Sequence, residues 1–259
     1  MLRNVNTIKG YAIQATDDEL GRVREVYFDD EQWGVRYLVV ETGPWLMGRS
    51  VLISPYAIQG IDEDGERIRV SLTSEQVKNS PDIDTDKPVS RQLESEFSTY
   101  YGYDNYWTGP YLWGAGGYPV LPLPESASVP PPDAQQEPAA RPAGDEEDVH
   151  LRSSAAVSGY HIAGTDGEVG HVEDFIFDDE AWVVRYLLVD TRNWWPGGKH
   201  VLLSTDWVER VDWTDSRVQT GLTQEQIKNS PEYAGDQAVD RDYEKRLHEH
   251  YRRPGYWDV

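Results

Sequence analysis

Residues 11–72 alternate short apolar runs with polar turns. Tyr11–Ala15, Val23–Phe28 and Val35–Glu41 are rich in Val and Tyr and read as strands. "TDDELG" before the second run reads as a turn, with Gly21 free to take a positive φ; "DDEQWG" after it reads as a hairpin connection ending near Gly34. Ser50–Ser54 is a further run stopped by Pro55, and Ala57–Asp62 and Arg67–Leu72 flank an Asp64-Gly65 hairpin signal. Short strands at this spacing predict a small antiparallel barrel or sandwich. The period then changes. Thr73 and Gln76 form a capping box ahead of a short helix, because Pro81 disfavours helical geometry at Ser80. A second helix is predicted from about Ser90, with Leu93, Phe97 and Tyr101 on one face that packs across the barrel or onto a neighbour.

The pattern occurs twice. Gly10–Thr42 returns as Gly159–Thr191, 149 positions later, and Leu72–Asp82 returns as Leu222–Glu232, 150 positions later. Thr223 and Gln226 repeat the capping box, and Tyr243, Leu247 and Tyr251 repeat the helix face from about Asp240. The one-residue slip falls in the loop between Trp45/Trp194 and Val51/Val201. An offset held over about 100 residues means two copies of one domain and not a solenoid. The predicted organisation is a first repeat over 1–108, an aromatic/Gly then Pro/Ala/acidic linker over 109–150, and a second repeat over 151–259. The fold class expected is mainly β with short α: two small antiparallel barrels, each followed by short helices.

Composition narrows the function classes. The chain has 259 residues and no cysteine, which excludes disulfides, thiolate catalysis and Cys-ligated metal centres. The net charge of -22 divides into about -8, -6 and -8 over the three segments, which disfavours nucleic acid and anionic membrane surfaces as partners. No apolar run approaches the roughly 20 residues needed to span a bilayer, and no signal-peptide core is visible near the start, so the expected address is cytoplasmic.

The pattern "D..LG.V..V.FD", then "W.VRYLVV.T", then a "VLIS" strand and "LT.EQ.KNSP", resembles the PRC-barrel family, whose name comes from the photosynthetic reaction centre H subunit. Leu20, Gly21, Val23, Val26, Asp29, Trp33, Tyr37, Leu38, Val39, Val51 and Leu52 carry it in the first copy, and Val169, Gly170, Val172, Phe175, Asp178, Trp182, Tyr186, Leu187, Val189, Val201 and Leu202 in the second. The resemblance implies an adaptor or assembly barrel with no common catalytic residues. An H-subunit-like role beside a photosynthetic complex is an expectation attached to the family name.

Candidate chemistry is sparse. Asp29-Asp30 and Asp178-Asp179 beside Trp33 and Trp182 invite a glycosidase reading, but neighbours on a hairpin point apart and are expected to stay solvated. "DEDGE" lacks the spacing of a calcium loop. His248 and His250 diverge on a helix, and His161, His171 and His200 face Ala12, Arg22 and Ser50 in the internal comparison, so no metal, cofactor or catalytic residue is assigned. Arg36 and Arg185 within apolar strands read as structural partners of Asp29 and Asp178 at the barrel rim. Ten tryptophans are too many for two small cores. Trp45, Met47, Trp113, Trp194, Trp195 and Trp207 are therefore the candidate contact surface, for self-association (between repeats or between chains) or a protein partner. A carbohydrate-binding or glycan-active protein with Trp platforms is the alternative.

Overall fold

The structure is a computed structural model that describes residues 1–81, 83, 89–120, 150–194, 196–235 and 239–258. The proline-rich part of the expected linker and Trp195 lie outside the described residues. In the first copy, β2 (Ala12–Gln14), β3 (Glu19–Asp29), β4 (Val35–Thr42), β5 (Ser50–Ile53), β6 (Ile58–Asp62) and β7 (Arg67–Val70) follow the order β5-β4-β3-β2-β7-β6. In the second, β9 (His161–Gly164), β10 (Gly167–Asp178), β11 (Val183–Asp190), β12 (His200–Ser204), β13 (Val208–Asp212) and β14 (Arg217–Thr220) repeat it as β12-β11-β10-β9-β14-β13.

The architecture is mainly β with short helices, but the sheets are mixed and not purely antiparallel. β2 pairs parallel with β7, and β9 with β14. The long excursion between those strands permits a parallel pairing that a tight hairpin forbids. Each ladder stays open between its end strands, where the chain turns through Pro55–Ala57 or Thr205–Trp207. Gly21 sits at φ +155°, and a Cβ there would lie 2.1 Å from the carbonyl oxygen of Glu41. Only glycine lets β3 close on β4 at that point.

Both capping boxes form, starting α2 (Ser74–Lys78) and α5 (Gln224–Lys228). Ser90 and Asp240 cap the longer helices α3 (Arg91–Tyr101) and α6 (Arg241–Tyr251). In copy one, Phe97 buries against Tyr37, Val39 and Leu52, so α3 packs on its own barrel.

The two copies share their edges. β1 (Leu2–Asn4), from the start of copy one, pairs antiparallel with Ile176–Asp178 of copy two. β8 (Leu151–Ser153), from the start of copy two, pairs with Tyr27–Asp29 of copy one. A three-residue strand gains little from its own hydrogen bonds, but each leads into a helical turn that buries apolar side chains. α1 (Val5–Ile8) sinks Val5 and Ile8, and α4 (Ser154–Val157) sinks Val157, into one core common to both copies. Each such side chain contributes about 1.5–3 kcal/mol.

Ion pairs cross in the same reciprocal way. Arg3 Nε reaches Asp179 Oδ2 at 2.5 Å, and Arg152 Nε reaches Asp30 Oδ2 at 2.8 Å. The hairpin tips also meet. Val35 N–H donates to the Trp182 carbonyl and Val184 N–H to the Trp33 carbonyl, both at 2.8 Å. Two side chains of the expected linker are buried in the fold: Trp113 packs on Tyr56 and donates its indole N–H to the carbonyl of Ala181, and His150 meets Glu94.

One seam residue titrates. Asp174, 3% exposed, faces the start of α1 and accepts the Asn6 N–H on both oxygens at 3.2 Å. Burial outweighs those bonds and the nearby Lys9 charge and pushes its pKa up to about 6. The folded state thus holds a proton that the unfolded state releases above its usual value of 3.8. The associated stability is full below about pH 4 and is lost as pH rises through 6, an effect of about 3 kcal/mol. We expect Asp174→Asn to match the wild type in denaturant midpoint at pH 4 and to exceed it at pH 7. Parallel pH profiles for the two proteins would contradict this account of the seam.

Candidate functional site

The sequence places Asp29 at the end of β3 and Arg36 on β4, and the hairpin between them folds the two together. Asp29 Oδ1 accepts from the backbone N–H of Glu31 (3.1 Å) and Gln32 (2.6 Å), and Oδ2 accepts from Gly34 N–H (2.9 Å). These bonds hold Trp33 at φ 60°, an unfavourable value for a bulky residue, while its ring stacks on Phe28 with centroids 5.3 Å apart. Arg36 Nε donates to Asp29 Oδ2 at 2.9 Å and Nη1 to the Leu112 carbonyl at 2.6 Å. Its guanidinium lies 3.7 Å over Tyr106 and 4.7 Å from Trp113. Arg36 is 1% exposed. It was expected at the barrel rim but is a sealed interior cation, because residues 106–113 fold over it.

A cavity of about 150 Å³ lies beside this pair, lined by Asp29, Gln32, Arg36, Arg91, Tyr106, Trp107 and His150. Beneath it, fully buried Glu94 accepts from Tyr106 Oη at 2.9 Å and contacts His150 Nε2 and Arg91. Burial, then the Glu94 charge, pushes the Tyr106 phenol far above its usual range. Arg91 also stacks over Trp107, with 4.4 Å to the ring centroid. Each of these charged groups faces a partner: Arg36 meets Asp29, and Glu94 meets Arg91, His150 and Tyr106.

The second copy repeats the scheme more loosely. Val183 stands where copy one has Gly34. A Cβ on Gly34 would lie 2.5 Å from Arg36 Cζ and 2.7 Å from Asp29 Oδ2. Accordingly Arg185 lies 3.9 Å from Asp178, its side chain 25% exposed, and it turns instead over Tyr256 at 4.0 Å. Glu244 accepts from Tyr186 Oη at 2.8 Å and pairs with Arg241, which stacks over Trp257. His248, expected to be incidental, is buried with Nε2 3.1 Å from Tyr186 Oη. Internal comparison missed it because Ser98 occupies the equivalent place.

The proposed contact surface divides. Trp113 and Trp207 are each 3% exposed and belong to the core, so they are corrected from surface to interior. Trp113 completes the cover over Arg36, and Trp207 packs on Tyr251 with centroids 4.6 Å apart. Trp33 and Trp182, the rings beside the acidic pairs, are buried too. Trp194 is half-buried beside His161 and His171. Trp45 remains 39% exposed, its indole N–H bonded to the Leu20 carbonyl, and Met47 stands almost wholly in solvent. The acidic pairs do point apart but are not solvated: Asp29 is buried, and Asp30 and Asp179 are tied to arginines of the opposite copy. Among the described residues, Glu173, Asp190 and His200 gather three possible metal-ligand atoms, an association the internal comparison did not reveal because each comes from a different strand.

The family model of the PRC-barrel domain matches residues 2–77 and 157–225, together more than half of the chain. An uncharacterised protein of Deinococcus radiodurans is 28% identical over 88 residues, which cover 34% of this chain and 31% of that protein. The match thus spans about a third of that relative's length. Among the described residues no helix is long and apolar enough to cross a membrane.

The different sealing of the two arginines has a measurable consequence. Arg36→Met leaves Asp29 buried without its cation and is expected to cost about 3 kcal/mol in urea unfolding. Arg185→Met should cost less, about 1 kcal/mol, as for a half-buried pair held only at 3.9 Å. Gly34→Ala should cost roughly 1–3 kcal/mol through overpacking. Equal costs for the two arginines would overturn this reading.

Proposed function

The chain belongs to the PRC-barrel domain family, and we propose from that premise that it acts without catalysis, as an assembly or adaptor protein working through protein–protein contacts. Domains of this family occur in non-catalytic and assembly-type proteins. The observation that carries the proposal is the pairing of an exposed apolar turn with a hydrogen-bonded backbone beneath it. Residues 43–49 fold into a 3-10 turn at Pro44–Leu46, with Met47 at φ 55° and 96% exposed beside Trp45. An isolated exposed methionine on a turn whose backbone is pinned by Thr42 and Arg49 suits adaptable contact with a partner.

The strand exchange fixes this turn relative to the second copy, so the chain offers one pre-organised surface instead of two barrels on a tether. Pre-organisation lowers the ordering cost of association. The acidic surface, at a net charge of -22, favours a basic partner and accelerates its encounter. The turn's anchoring bonds, from Trp45 to Leu20 and from Arg49 to Ser80, stay within copy one. Met47 and the open part of Trp45 face solvent.

Met47→Ser is the cleanest test, since an exposed side chain can be changed with little effect on folding. We expect Met47→Ser combined with Trp45→Ser to abolish concentration-dependent self-association in light scattering, or capture of a partner by the full chain, with the folded circular dichroism spectrum retained. If the double variant and a Trp194→Ser variant both behave as wild type in both assays, the proposal fails.

A further inference from the structure

We propose that the second copy carries a divalent transition-metal site, of the kind zinc fills, formed by Glu173, Asp190 and His200. The backbone register assembles it. Asp190, at the end of β11, stands directly across from His200, at the start of β12. His171 of β10 stands across from Asp190 on the other side. Cross-strand partners project from the same face of a sheet. The β10–β11 register then jumps between Val172 and Asp174, and this bulge aims Glu173 into the same row. The ligand atoms of Glu173, Asp190 and His200 all lie within 4.8 Å of one another.

Two further observations point to a cation as the ligand. His200 Nε2 and Glu173 Oε2 lie 2.7 Å apart, yet both atoms are shut off from solvent and neither makes a hydrogen bond. They form an ion-pair contact without hydrogen-bond alignment, so both atoms can turn toward a cation. Donors around a tetrahedral zinc stand about 3.3 Å apart, given metal–ligand distances of about 2.0–2.2 Å. Charge gives the second observation. Two carboxylates share one guanidinium, Arg192, which donates to Asp190 from Nε at 2.9 Å and from Nη2 at 2.7 Å and lies 3.9 Å from Glu173.

Copy one lacks this set of donors. Arg24, Glu41 and Ser50 occupy the equivalent positions, so a guanidinium replaces one of the carboxylates and the imidazole is absent. An imidazole with two carboxylates favours a borderline metal such as zinc over magnesium or calcium. On binding, the metal takes a lone pair from His200 Nε2 and one from each carboxylate, and Arg192, 55% exposed, swings off Asp190 into solvent. Arg192 is thus a competitor that sets the affinity. The bound ion would tie β10, β11 and β12 together at the edge next to the loop that holds Trp194.

Isothermal titration of the full chain with zinc, in 0.15 M salt and excess magnesium to fill weak acidic sites, tests the assignment. We expect one zinc per chain, at least tenfold weaker binding in His200→Ala and in Glu173→Gln, and tighter binding in Arg192→Ala, with circular dichroism confirming that each variant is folded. Cobalt in place of zinc should give visible absorption bands that the His200→Ala variant lacks. The proposal is overturned if wild type takes up no stoichiometric zinc, or if His200→Ala and Glu173→Gln bind as wild type does. An Arg192→Ala variant that binds no tighter removes Asp190 from the ligand set and overturns the three-ligand site.

Discussion

The reciprocal exchange of strands between the two copies governs the rest of this structure. β1 completes the sheet of copy two and β8 completes that of copy one, so neither sheet is whole without the other half of the chain. The contact is not a surface added to finished domains. It is main-chain pairing followed at once by burial of Val5, Ile8 and Val157 in a common core, and it is locked where the two hairpin tips exchange backbone hydrogen bonds. Such an arrangement is what a domain-swapped dimer becomes once its two subunits are joined in one chain.

Duplication under that constraint leaves each copy free to change wherever the seam does not reach. The exchanged strands and their arginines, Arg3 and Arg152, keep equivalent partners in both directions. Away from the seam the copies part. Glycine at position 34 lets Arg36 drop onto Asp29 and be roofed by Tyr106 and Trp113, whereas valine at 183 keeps Arg185 further out. The turn at residues 43–49 presents Met47, while the corresponding stretch of copy two lays Trp194 against two histidines. Symmetry therefore belongs to the scaffold, and the features able to meet a partner or an ion differ between halves.

Much of the scaffold is legible in the residues. The Val- and Tyr-rich runs, the capping boxes at Thr73 and Thr223 and the faces of α3 and α6 all obey local rules and form close to their expected places, but β3 starts at Glu19, four residues before Val23, and takes in Gly21 from the expected turn. The candidate sites are less legible. Trp113 and Trp207 looked surplus to two separate cores, but one merged core and the aromatic cover over Arg36 absorb them. The buried clusters around Glu94 and Glu244 were invisible because their members come from distant parts of the chain, such as Glu94 and His150. Counting aromatics measures how much surface must be buried but says nothing about where.

The sequence by itself determined that there are two copies, which strands and turns each contains, where the helices start, and which family pattern they follow. These depend on periodicity, turn chemistry and capping, which act over a few residues. Only the tertiary structure decided that the copies trade their first strands, that Arg36 is interior while Arg185 is not, that Met47 and not Trp113 faces solvent, and that Glu173, Asp190 and His200 meet. Those outcomes depend on which distant strands become neighbours and on whether a single Cβ leaves room at position 34 or 183, and no local pattern encodes either.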